Sequence, residues 1–227
     1  MCDVANTLDN IREEIVEHIT GRLEAIEASY TTVWRNYEDA AITAFIEIVR
    51  HHIPTLTDNN FQTGVTGREK NRIADLAIVC QEGSTLISIK TADSAKNPEN
   101  DLGTFRQYAG KKAAFPNSFD LWIRWTSNDG TIDADGVFFD RSYHFVGKMQ
   151  IVDGVKYRKK DGNMRPKSWA MFDDDESYWE NVEDFEAAML RSMRFRANSL
   201  VQEHLESMTE DDQRMLYGVL HEKYGGE

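Results

Sequence analysis

With 227 residues, 41% of them hydrophobic and 29% charged, the chain is long and apolar enough for one domain with a sizeable core. No apolar run approaches the ~20 residues of a membrane helix, nothing resembles a signal peptide, and Cys2 and Cys80 are too isolated for a disulfide framework or a zinc site. The expected setting is therefore reducing and cytoplasmic, of the bacterial intracellular type. The net charge of −13 argues as a sum against nucleic acid, but it is segregated: Arg141 to Lys167 holds eight bases and two acids, and Asp173 to Glu186 eight acids and no base.

Residues 8–29 carry Ile11, Ile15, Ile19, Leu23 and Ile26 at three- and four-residue spacing, which predicts an amphipathic helix capped by Thr7 or Asp9. Residues 36–52 predict a second helix, ended by Pro54. Glu47 interrupts its apolar run ITAFIEIV and so stands out over Glu38 and Asp39 at the solvated start. Glu47 reads either as an acid turned toward a site or as a solvated residue beside a core stripe. Residues 59–70, NNFQTGVTGREK, read as a short strand and loop. Gly64, Gly67, Arg68 and Lys70 there would let backbone and cations approach phosphate, or form an ordinary basic surface loop.

The chain is organised around Asn71 to Tyr108. Ala74 to Cys80 (ADLAIVC) is an apolar run with one acid, Asp75, and Thr85 to Lys90 (TLISIK) is β-branched and ends in one base. Gln81-Glu82-Gly83-Ser84 between them is turn chemistry, so the pair predicts a hairpin at the centre of a sheet. Antiparallel pairing brings Asp75 and Lys90 to one sheet edge, beside Ser88. An unpaired buried ion costs several kcal/mol, so charges placed there demand a reason. They form either a plain salt bridge at a strand end or the carboxylate and ammonium of a metal-dependent phosphodiesterase site.

Residues 91–101 read as a loop and 102–113 as a helix with Thr104 as N-cap. Arg106, Lys111 and Lys112 on it are candidates for backbone contact. Residues 118–126, SFDLWIRWT, alternate as a strand. From 131 to 172 the segments GVFFD, YHFVGKMQIV, VKYRKK and SWAMF predict further strands, with turns at Asp153-Gly154 and Asp161-Gly162. The expectation is a twisted β-ribbon with a basic end, at Lys156, Arg158, Lys159 and Lys160, shaped for a DNA groove or simply solvated. Residues 176–206 form a long helical pattern, and Thr209 caps a last helix that stops at Gly225-Gly226. These two helices would cover the sheet or form a dimer contact.

Asp75 followed by Ser88-Ile89-Lys90 resembles the PD-(D/E)xK nuclease superfamily, best known from Type II restriction endonucleases. The IKT, NPEN and LGT that follow are similar to its blunt-cutting branch, and the resemblance covers roughly residues 38 to 126. Two departures stand out: Ala74 replaces the usual Pro, and Ser88 replaces a metal-ligating acid. The resemblance implies a restriction-endonuclease-like α/β (α+β) fold, a central mixed sheet flanked by helices, in one domain with residues 36–126 as catalytic core, 131–172 as ribbon and 176–225 as C-terminal helices. It implies a Mg²⁺-dependent endonuclease, with Mn²⁺ as a substitute, acting on double-stranded DNA as a homodimer at a palindromic site. Asp75, Glu47 and the Ile89 carbonyl would hold the metal. Lys90 would orient the attacking water, and Ser88 would hold a coordinated water. Arg68, Lys70, Thr91, Arg106, Lys156, Arg158, Lys159 and Lys160 would contact DNA. A structure-specific repair or recombination nuclease, and an inactive DNA-binding module with Ser88 as the trace of lost activity, are the competing readings.

Overall fold

Alternation along SFDLWIRWT sends Phe119, Leu121, Ile123 and Trp125 to one side of a strand and Asp120, Trp122 and Arg124 to the other. Two different cores form on those two sides. The computed structural model describes residues 3–24, 26, 33–63, 74–81, 83–109, 117–129, 131–150 and 152–224. Its main sheet has the order β1-β2-β3-β4-β5: β1 Phe61–Thr63, β2 Leu76–Cys80, β3 Gly83–Asp93, β4 Ser118–Asn128 and β5 Thr131–Arg141. β3 and β4 are parallel and every other pair is antiparallel, so the sheet is mixed with β3 at its centre. The expected hairpin is β2–β3, and Gly83 takes a φ of 151° at its turn, a conformation glycine adopts without strain. A parallel pair needs a crossover, and residues 94–117 with the short helix α4 (Phe105–Ala109) make it.

Helices α1 (Val4–Asn10), α2 (Arg12–Leu23) and α3 (Val33–His52) cover one face of the sheet. Ile15, Ile19, Leu23, Tyr37, Phe45 and Val49 pack there on Leu76, Ile78, Ile87, Phe119, Leu121 and Ile123. The single helix expected over 8–29 is two: it starts earlier, capped by Asp3 rather than Thr7 or Asp9, and bends at Ile11, whose ψ of 18° leaves the helical range.

The opposite face is covered by aromatic rings. Trp122 is fully buried among Phe145, Trp169 and Phe172, with Leu102, Phe105, Tyr108, Trp179 and Phe185 around them. The ribbon expected over 131–172 is corrected here. β5 belongs to the main sheet, Ser142–Phe145 is a 3-10 turn, and only β6 (Lys148–Met149) and β7 (Gly154–Val155) pair as a short hairpin. Tyr157 and Met164 add an isolated bridge around the Asp161-Gly162 turn. SWAMF is a helix, α5 (Trp169–Asp173), because Trp169 and Phe172 reach the same aromatic cluster only at i, i+3 spacing. A two-residue strand alternation of the same five letters would split them.

Helix α6 (Val182–Glu206), capped by Asn181, docks through Phe185, Ala188, Met189 and Ser192. Ser192 Oγ accepts from the Val155 N–H at 2.7 Å, and a Cβ on Gly154 would lie 2.2 Å from that oxygen, so the hairpin needs glycine at this approach. Helix α7 (Glu210–Tyr224) starts at the expected cap: the Asp212 N–H donates to Thr209 Oγ1. No helix of the described residues is long and apolar enough to cross a membrane.

Candidate active site

The β2–β3 pairing fixes the first two groups. The Asp75 N–H donates to the Ile87 carbonyl at 2.9 Å, which turns the Asp75 side chain back along β3. Its Oδ2 accepts from the Ile89 N–H at 2.6 Å and from Ser88 Oγ at 3.2 Å, and Lys90 Nζ lies 3.8 Å away. Ser88 and Lys90 alternate onto the same face of β3. A strand residue presents its N–H and carbonyl to the same side, so the Ile89 carbonyl faces the edge where Asp75 sits. Both charged side chains are partly exposed, 32% for Asp75 and 21% for Lys90, so solvent or a ligand reaches them.

Two further acids stand in the field of this pair, and neither was singled out in the sequence. Glu38 on α3 is half-buried, and its carboxyl is held above the usual range by burial and then by the Asp75 charge, with Lys90 opposing. Asp120 on β4 is 3% exposed and lies directly across from Ser88 in the parallel register. Burial pushes its pKa up to about 6, with Asp75 adding to the rise and Lys90 and Ser142 opposing. Ser142 Oγ donates to Asp120 Oδ1 at 2.8 Å, whereas Oδ2 is buried without a hydrogen-bond partner among the described residues. Trp122 Nε1, two residues on and on the same face, is a buried donor without a partner among them. Burial and the Asp120 charge also hold the Tyr108 phenol well above its ordinary pKa.

Glu47 requires a correction. It lies on the outer side of α3, where Arg22 and His18 of α2 pair with it and the Arg22 hydrogen bond holds its carboxyl below the usual range. Glu38 and Glu47 are nine residues apart, about 13.5 Å along the axis and about half a turn round it, so one helix cannot turn both to the site. The interruption of an apolar run marked Glu47, but α3 docks so that its first turns, not its middle, overlook the sheet edge.

The candidate DNA contacts scatter. Thr91 follows Lys90 on β3 and is half-buried, with its carbonyl accepting from Asn100 Nδ2 at 3.2 Å. Arg106 is exposed on α4. Arg68, Lys70, Gly64, Gly67, Lys111 and Lys112 lie outside the described residues. Arg158 is tied to Asp161 and, at 2.9 Å, to Asp101, which Arg165 also approaches at 3.3 Å. Lys156 Nζ donates to the Pro166 carbonyl at 3.2 Å. Lys159 and Lys160 are exposed, with their carbonyls held by Arg196. The basic run is thus partly neutralised within the fold.

Asp75, Glu38 and the Ile89 carbonyl are hard oxygen donors, the kind that suits Mg²⁺, Mn²⁺ or Ca²⁺ rather than zinc or copper. Among the described residues no group of three or more His, Cys, Asp or Glu side chains is placed to hold a metal ion by itself.

No family model matches this chain, and no curated protein matches it in sequence. Among solved structures it is similar to the NlaIV restriction endonuclease, with a TM-score of 0.51 and 12% sequence identity over 81% of this chain and 76% of that one. At that identity the likeness speaks for the arrangement of sheet and helices, and the chain has a restriction-endonuclease-like fold.

Proposed function

We propose that this chain is a Mg²⁺-dependent DNA endonuclease of the PD-(D/E)xK superfamily, a Type II restriction enzyme of the blunt-cutting kind that acts as a homodimer on a palindromic site. The observation that carries the reading is the convergence of Asp75 and Lys90 at the open end of the β2–β3 pair, 3.8 Å apart and reachable from solvent, in a restriction-endonuclease-like fold. A surface ion pair alone contributes little, so stability does not account for charges placed at the centre of a sheet.

Asp75 and Glu38, with the Ile89 carbonyl, would hold the Mg²⁺, which supplies Lewis-acid polarisation of the phosphate and offsets developing charge when bound. Ser88 and the Ile89 N–H fix the Asp75 carboxylate, so its free oxygen is oriented before any ligand arrives. Lys90 orients the attacking water and offsets charge on the phosphate. With Ser88 in place of an acid, Glu38 supplies the second carboxylate. Thr91, next to Lys90 on β3, and Arg106, on α4, are candidates for backbone contact. Two copies related by a two-fold axis would cut both strands at matched positions.

Long phage DNA digested by the purified protein with Mg²⁺, beside an EDTA control, tests this. Discrete metal-dependent fragments are expected. Cleavage of branched DNA with linear duplex untouched would make it a structure-specific nuclease. DNA binding without cleavage in Mg²⁺ or Mn²⁺ would make it a binding module and overturn the catalytic assignment.

A further inference from the structure

Helix α7 has no buried residue from Glu210 to Lys223, the stretch of it whose side chains are described. Met215, Leu216, Val219 and Leu220 form a stripe at i, i+1, i+4 and i+5, and Met215, Val219 and Leu220 are 66%, 54% and 41% exposed. A helix of 15 residues on which only Gln213 and Leu216 are even half-buried among the described side chains is marginal in water, so this stripe calls for a partner.

A groove of about 660 Å³ runs between α6 and the β6–β7 hairpin with its following turn. Tyr157, Phe195 and Leu200 give it apolar walls, and Lys159, Lys160 and Arg196 make one end basic. The other end, at Glu203 and Glu206, is acidic. α7 opens with Glu210, Asp211 and Asp212. From Asp212 to Leu220, the acidic turn together with the stripe, is about 12 Å of helix, and from Arg196 to Glu206 along α6 about 15 Å, so the two together fit within the groove's length.

The polarity selects the occupant. Only Ser207–Thr209 separate α6 from α7. Folding α7 back on its own α6 would run it antiparallel and set its acidic first turn against Glu203 and Glu206. Gln213 Nε2 donates to the Leu205 carbonyl at 2.6 Å and holds the start of α7 at the end of α6. A second copy has no such tether and can bring its acidic turn to Lys159, Lys160 and Arg196.

We propose that α7 of one copy docks in the α6–hairpin groove of a second copy, in a reciprocal two-fold exchange. This gives a surface to the homodimer of the nuclease reading and in that respect rests on it, but its test reads mass and not cleavage. Sedimentation of the full chain should give a particle of twice the 26.1 kDa chain mass. Leu216→Asp with Leu220→Asp should yield monomer. Lys159→Glu with Lys160→Glu should raise the dimer Kd by about 100-fold, and adding Asp211→Lys with Asp212→Lys to that chain should restore dimerisation. A monomeric wild type at ~100 µM, a dimer indifferent to the Leu216 and Leu220 changes, or a charge reversal without rescue would each overturn the proposal. A dimer that never cuts DNA leaves it standing and removes the nuclease reading; a monomer that cuts overturns it and keeps the nuclease activity without the homodimer.

Discussion

The two faces of the main sheet are built from the same strands and handle charge in opposite ways. Toward α1–α3 the strands present Leu76, Ile78, Ile87, Ile89, Phe119, Leu121 and Ile123, an unbroken apolar set that amphipathic helices cover completely. Toward α4–α6 they present Ser88, Lys90, Asp120 and Trp122 at adjacent register positions; aromatic rings close over Trp122, and Ser88 and Asp120 are buried beside it, while Lys90 is not. The cover therefore stops short of Asp75 and Lys90. A face made for stability can be sealed, whereas a face that carries ionised groups must leave them an opening or pair them. The following substitutions test that division.

The largest effect is expected at the opening. Asp75→Asn keeps an oxygen acceptor for the Ile89 N–H and removes the charge, and Lys90→Ala removes the ammonium. Each should lower metal-dependent cleavage by about 1000-fold or more, equivalent to about 4 kcal/mol of transition-state stabilisation. Circular dichroism should be unchanged, since both side chains are partly exposed. Wild-type cleavage by either variant would reduce the pair to a structural ion pair.

Asp120 tests the covered part of the same face. Its folded pKa of about 6 lies above the ordinary aspartate value of 3.8, so the folded state holds the proton longer and ionisation weakens the fold. The penalty is absent below about pH 4, grows between about pH 4 and 6, and is complete above. At 1.36 kcal/mol per unit it amounts to about 3 kcal/mol. Asp120→Asn should therefore match the wild type near pH 4 and exceed its stability by about 2–3 kcal/mol at pH 8, read from urea midpoints. A pH-independent difference would mean that the carboxylate is satisfied where it lies.

Glycine-to-alanine exchanges separate the faces by sign. At Gly154 the added methyl meets Ser192 Oγ, which is engaged with the Val155 N–H, and the cost should be about 1–3 kcal/mol of stability. At Gly21, exposed on α2 with nothing within 4 Å, the same change should stabilise by about 0.5–1 kcal/mol. Thermal melts of both variants decide this. A neutral Gly154→Ala would mean that α6 and the hairpin do not approach as closely as described.

How much of this was legible depends on the range of the signal. The α1–α3 face shows in three- and four-residue periodicity, and Asp75 with Lys90 shows because a tight hairpin makes pairing a matter of counting outward from Gly83. Asp120 had no local mark: its partner across the sheet is Ser88, 32 residues earlier, and a parallel register is set by the crossover between them. The α5 segment reads as a strand in sequence because five residues with Trp169 and Phe172 fit either period, and the position of Trp122 decides between them.

Glu38 and Glu47 carry that lesson to the smallest predicted effect. Both lie on α3, and sequence favoured Glu47 because an acid inside an apolar run demands a reason. The reason is α2: Arg22 and His18 pair with Glu47 across the helix–helix contact. Glu38 looked solvated because the helix start has no neighbour in sequence, yet the sheet edge supplies Asp75 and Lys90 as neighbours in space. Glu38→Gln should then lower cleavage by about tenfold, about 1.4 kcal/mol, and shift the Mg²⁺ midpoint to higher concentration. Glu47→Gln should leave both unchanged and cost at most about 0.5–1 kcal/mol of stability, as for other exposed pairs. A Mg²⁺ titration of cleavage by the two variants separates the possibilities, and a shifted midpoint in Glu47→Gln with none in Glu38→Gln would return the second carboxylate to Glu47 and require α3 to dock about half a turn from where it lies.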